Sequence, residues 1–145
     1  MYFISILGHG RGGHVHSLDH ISKEIGKRES VNIIAIGPGK SEIIESSPYF
    51  LRHINFRGLN LLRLRKEITN ILNETSPDIL HCFDERAYNL LKILSLGRKY
   101  RYVLNKCGGP NPSSYPKTEN LVLFSRENEV WFESKPKFSK TLTYL

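Results

Sequence analysis

The segment Gly8-His9-Gly10-Arg11-Gly12-Gly13-His14 stands between an apolar run, Tyr2–Leu7, and an amphipathic stretch, Val15–Ile25. A buried strand, a glycine-rich bend and a helix start together form the opening crossover of an open α/β sheet. Glycines suit the sharp reversal there, where φ is often positive, and they let a ligand approach the backbone. The helix start beyond them has unpaired N–H groups and a partial positive charge, which favour a phosphate or a sugar hydroxyl. In such sheets ligands lie outside the carboxyl ends of the strands.

The remaining chain continues the same alternation. Val31–Ile36 reads as a second buried strand, ending at Gly37-Pro38-Gly39. Leu51–Phe56 is a weaker strand, interrupted by Arg52 and His53, and is predicted near the sheet edge. Leu61, Leu64, Ile68, Ile71 and Leu72 recur at helical spacing, with Arg63, Lys66, Glu67, Asn70 and Asn73 turned away. Pro77-Asp78 leads into a strand at Ile79–Phe83, followed by a helix with Ala87, Leu90, Leu91 and Leu94 on its inner face. Tyr102–Asn105 is the next strand, and it leaves through a second glycine-rich loop, Lys106-Cys107-Gly108-Gly109-Pro110-Asn111-Pro112. A strand at Leu121–Phe124, a short helix from about Arg126 to Ser134 and a last strand at Leu142–Leu145 complete the pattern. The expected fold is α/β: a doubly wound, mostly parallel, Rossmann-like sheet in three α/β/α layers, forming one domain over residues 1–145. Both glycine loops follow strands, so both belong to the carboxyl-end rim.

Composition narrows the function classes. A chain of 145 residues, 39% hydrophobic and 24% charged, suits one globular domain. Its apolar runs are far shorter than a membrane span. Met1-Tyr2-Phe3 enters a strand with no basic leader, so no secretory signal is expected. Two cysteines, Cys82 and Cys107, make no disulfide framework, which points to a reducing cytoplasm. The net charge of +7 gathers in three regions: Arg52 to Lys66, Arg98 to Arg101, and Lys135 to Lys140. These suit a phosphorylated ligand, nucleic acid or peripheral contact with the anionic inner face of a membrane, and a plain soluble, mildly basic surface accounts for them equally well. The cations are not read as a base-stacking platform, so no nucleic-acid partner is expected.

The glycine loop fits G-x-G-x-x-G, yet the second strand ends in Ile36-Gly37-Pro38-Gly39-Lys40, with no carboxylate for an adenosine ribose. A nucleotide-binding oxidoreductase or epimerase is therefore the alternative reading, beside a non-catalytic binding module. The phosphate-loop pattern G-x-x-x-x-G-K-[ST] is missing. His16 and His20 are four residues apart on a helix, but on its solvated face and without further ligands, so no metal is expected. His14, at the loop exit, is the histidine placed to touch a ligand. Cys107 has no obvious base beside it and reads as a space-filling residue. Asp84-Glu85 is a carboxylate pair on the functional rim; Asp84 is read equally as a ligand contact or a helix cap, and Glu85 as a cap.

With these motifs the chain resembles the N-terminal half of a GT-B glycosyltransferase, close to family four of the retaining enzymes. Gly12-Gly13 and the following helix match that family's first loop. Pro77-Asp78-Ile79-Leu80-His81 matches its Pro-Asp-apolar-apolar-His, and Phe124-Ser125-Arg126-Glu127 matches its sixth strand exit. Two departures stand out. Asn105-Lys106-Cys107 replaces a histidine after the fifth strand, and Phe83 replaces a second histidine on the fourth. The resemblance implies hexosyl transfer from a nucleotide sugar to a carbohydrate or lipid-linked acceptor in cell-surface polysaccharide synthesis, with no cofactor. It implies that the donor-binding C-terminal domain lies outside these 145 residues, so that the chain is a fragment, inactive alone. It further implies that Gly10, Gly12 and Gly13 approach the donor. His14, Asp84, Asn105, Lys106, Gly108, Gly109 and Ser125 would line the acceptor side.

Overall fold

The computed structural model describes residues 1–6, 13–94, 96, 100–106, 115–134 and 139–144. Seven strands alternate with five helices among them. The strands are β1 (Tyr2–Ile6), β2 (Asn32–Ile36), β3 (Phe50–Ile54), β4 (Ile79–Cys82), β5 (Arg101–Lys106), β6 (Thr118–Leu123) and β7 (Ser139–Tyr144). The helices are α1 (Gly13–Gly26), α2 (Glu42–Glu45), α3 (Leu61–Thr75), α4 (Glu85–Ile93) and α5 (Arg126–Glu133). All seven strands form one sheet in the order β3-β2-β1-β4-β5-β6-β7, and every neighbouring pair is parallel.

Alternation along the strands separates two cores. On β2, Ile34 and Ile36 join Leu64, Ile68, Leu91 and Phe132, so α3, α4 and α5 cover one face. Ile33 and Ala35 join Val15, Leu18 and Ile44, so α1 and α2 cover the other. This is the expected three-layer, doubly wound, Rossmann-like sheet, and β3 is at its edge as Arg52 and His53 foretold. Central strands bury both faces and therefore read as continuous apolar runs.

The connections position the site. From β1 the chain winds through α1, β2 and α2 to β3, then α3 carries it back past β1 to β4. The winding direction thus reverses between β1 and β4, the switch point where open α/β sheets bind ligands. Sequence reading missed one element, α2, whose four residues are too few to show a helical period. It also set β3 slightly late, at Leu51–Phe56 rather than Phe50–Ile54.

Candidate functional site

The carboxyl ends of β1, β4 and β5 are neighbours because the strands are parallel and adjacent in the sheet. With strands spaced about 4.8 Å apart, the ends of β1 and β5 lie on the order of 10 Å from each other. Both expected glycine loops leave from these two ends. Gly10 and Gly12 in the first loop, and Gly108 and Gly109 in the second, lie outside the described residues, as does Cys107. Gly13 opens α1, the helix that follows β1.

Asp84 is the polar centre of this rim. Its Oδ1 accepts the Ala87 N–H at 2.7 Å and so caps α4. Its Oδ2 accepts both the Ser5 hydroxyl and the Ile6 N–H, each at 2.9 Å. A single carboxylate therefore ties the end of β1 to the start of α4 across the switch point. The cap role expected of Glu85 belongs to Asp84 instead; Glu85 is the exposed first residue of the helix. Ser5 was not singled out in the sequence, although one hydroxyl inside an apolar strand is the signal that marks it.

A second polar group lies at β5. The register pairs His81 with Val103, which makes Asn105 its diagonal neighbour on the same sheet face. His81 Nε2 lies 2.5 Å from Asn105 Oδ1. Burial pushes His81 down to about 4, although the Asn105 hydrogen bond favours the charged form. The imidazole is therefore neutral near pH 7, and its Nε2–H donates to Asn105. Asn105 is fully buried, and its Nδ2 has no partner among the described residues. A buried donor without an acceptor is costly, so it marks a place where a ligand group can be accepted. The Asn105 carbonyl accepts the Tyr115 hydroxyl, and Lys106 Nζ lies 5.4 Å from the centre of the Tyr115 ring. Lys106 itself is buried, which is unusual for a lysine.

Two further expected residues stand at helix starts. His14, half-buried in the first turn of α1, has a buried Nε2 with no partner among the described residues. Ser125 precedes α5 at its N-cap position, and its side chain makes no capping bond. His16 and His20 are exposed on α1, and no group of three or more metal-ligating side chains occurs among the described residues. At the end of β2, the Gly37 N–H donates to Ile54 and its carbonyl meets His53 Nε2 at 2.9 Å. Backbone and a histidine occupy the position where a dinucleotide site would hold a carboxylate. Cys82 lies below the rim, and burial pushes its thiol far up, which leaves it protonated and unreactive.

Comparison with known proteins places the fold. No protein-family model matches the chain, and no curated protein matches it in sequence. Solved structures do. Anabaena Alr3699/HepE in complex with UDP superposes with a TM-score of 0.64 at 14% identity, covering 99% of this chain and 44% of that one. The same protein in complex with UDP-glucose gives 0.64 at 14% identity, covering 99% and 43%. The lipopolysaccharide outer core galactosyltransferase WaaB in its apo form gives 0.51 at 17% identity, covering 72% and 32%. The chain thus spans less than half the length of these structures, and what it shares with them is the fold.

Proposed function

We propose that this chain is the acceptor-side domain of a glycosyltransferase that moves a hexosyl group from a nucleotide sugar to a carbohydrate or lipid-linked acceptor. The observation that carries the reading is the rim at β1, β4 and β5. The start of α1 follows β1, and buried Asn105 Nδ2 and His14 Nε2 lack partners among the described residues, at the end of β5 and in the first turn of α1 beside a switch point. Solved structures of the same fold supply the chemistry: one was obtained with UDP and UDP-glucose, and another is a galactosyltransferase.

In this reading Gly10, Gly12 and Gly13 let the donor approach the backbone, and the α1 N–H groups meet its phosphates. Asn105 Nδ2 and His14 meet hydroxyls of the acceptor, together with Lys106, Ser125 and the loop carrying Gly108 and Gly109. Asp84 acts from behind: both carboxylate oxygens are engaged, so it fixes the shape of the rim. No cofactor enters the transfer. A second domain closes the cleft, so this chain by itself binds donor weakly and turns over negligibly. A role in cell-surface polysaccharide synthesis follows from the same resemblance.

Calorimetric titration with UDP-glucose and with NAD tests the proposal. Millimolar binding of UDP-glucose, lost on Gly13→Val with the fold retained, is expected. Tighter binding of NAD than of UDP-glucose would assign the rim to a dinucleotide enzyme.

A further inference from the structure

The surface around β3 and the start of α3 carries four of the six exposed large apolar side chains among the described residues. Leu59 is 82% exposed and Leu62 79%, with Leu61 and Leu51 at 41% and 42%. Leucines in this number belong in a core, and the core side of α3 is already filled by Leu64, Ile68, Ile71 and Leu72. The exposed leucines are held out by a defined turn. Gly58 adopts φ +86°, Asn60 adopts φ 64°, and the Asn60 side chain accepts the Arg63 N–H at 3.0 Å.

Cations are close to them along the chain. Arg52, Arg57, Arg63, Arg65 and Lys66 are all exposed, and among the described residues none of the five takes part in an ion pair. Between residues 50 and 70 the only acidic residue is Glu67, which is half-buried. Leu62, Arg65 and Lys66 share one helix face, at spacings of three and four. Behind the turn lies a cavity of about 480 Å³, with His53, Asn55, Asn60 and Arg63 among its walls.

We propose that this face docks on an anionic lipid bilayer. Leu59 and Leu62 enter the boundary between headgroups and acyl chains, while Arg57, Arg63, Arg65 and Lys66 meet the lipid phosphates. Exposed leucines flanked in sequence and on α3 by exposed cations that form no ion pair among the described residues match a surface that is anionic outside and apolar just beneath. A second copy of the chain is a poor occupant, because two such faces would oppose cation to cation. The face is also on the rim that carries the candidate site. β3 and β4 are three strand steps apart, so on the order of 14 Å separates the docking turn from the switch point. A membrane-borne acceptor would then be presented along that rim. The docking itself does not depend on glycosyl transfer.

Flotation of the chain with phosphatidylcholine vesicles, with and without phosphatidylglycerol, tests this without any sugar nucleotide. Binding to the anionic vesicles alone, weakening as salt rises, is the expected result. Leu59→Ser and Leu62→Ser should each weaken binding about tenfold. Arg57→Gln and Arg63→Gln should each weaken it about fivefold. All four positions are exposed, and an unchanged far-UV circular dichroism spectrum confirms that the variants fold. Absent binding at low salt, or binding indifferent to both leucines, would overturn the proposal. So would a wild-type oligomer that the leucine variants dissolve without any vesicle binding, since that outcome assigns the face to a protein contact.

Discussion

Replacing Asp84 by alanine should cost more than its half-buried position suggests. Three hydrogen bonds end on this carboxylate: the Ala87 N–H at 2.7 Å, and the Ser5 hydroxyl and Ile6 N–H at 2.9 Å each. Losing the cap costs about 1 kcal/mol. Stranding a donor costs about 1–3 kcal/mol, and the lower end applies here because the site is partly solvated. The sum is on the order of 3 kcal/mol for Asp84→Ala. Asp84→Asn keeps one oxygen for Ala87 but turns an NH2 toward the two β1 donors, so about 2 kcal/mol is expected. Urea unfolding of both variants, with Ser5→Ala and the Ser5→Ala/Asp84→Ala double variant, measures these values. The double variant should be more stable than the summed single losses imply, because the two residues share a bond. A loss below about 0.5 kcal/mol for Asp84→Ala, or strict additivity with Ser5→Ala, would refute the view that this carboxylate joins β1 to α4.

Other consequences follow from particular residues. Burial holds His81 near 4 in the folded chain, against an ordinary value of 6.5. The unfolded chain therefore binds more protons between those values, and stability falls as pH drops from about 6.5 to 4, by about 3 kcal/mol in all. Unfolding measured across that window should show a flatter slope for His81→Gln. A Cβ on Gly26 would lie 2.3 Å from Tyr49 Cζ. Gly26→Ala should therefore destabilise by about 1–2 kcal/mol despite its better helix propensity, and thermal melts should show rescue in a Tyr49→Ala background. Ser76 ends α3 in the left-handed region, at φ 44°. Ser76→Gly should raise stability by about 0.5–1 kcal/mol in chemical denaturation.

Much of the fold was legible because its signals are local. The unbroken apolar run ending at Ile36 declares a buried strand, the stripe from Leu64 to Leu72 declares a helical period, and Pro77-Asp78 marks the entry to β4. Arg52 and His53 gave β3 its edge position, since a strand buried on both faces rarely carries them. The candidate site was legible only in part. Its two strand ends could be placed on one rim from the alternation of elements. The contacts within it depend on register: Asp84 reaches Ser5 across 79 positions of sequence, and His81 meets Asn105 only because it pairs with Val103. Nothing local encodes such pairings. The basic region around Arg63 was visible in the sequence, yet the exposure of Leu59 and Leu62 was not. Helical spacing alone does not say which leucines the core leaves out.

The sharpest test of the site is an amide chemical-shift map of the chain titrated with millimolar UDP-glucose. If the sugar nucleotide settles where β1, β4 and β5 end, the largest changes fall on Ile6, Gly13, His14, Asn105 and Lys106. Changes confined to the opposite, amino-terminal edge of the sheet, or no changes at saturating concentration, would contradict the assignment.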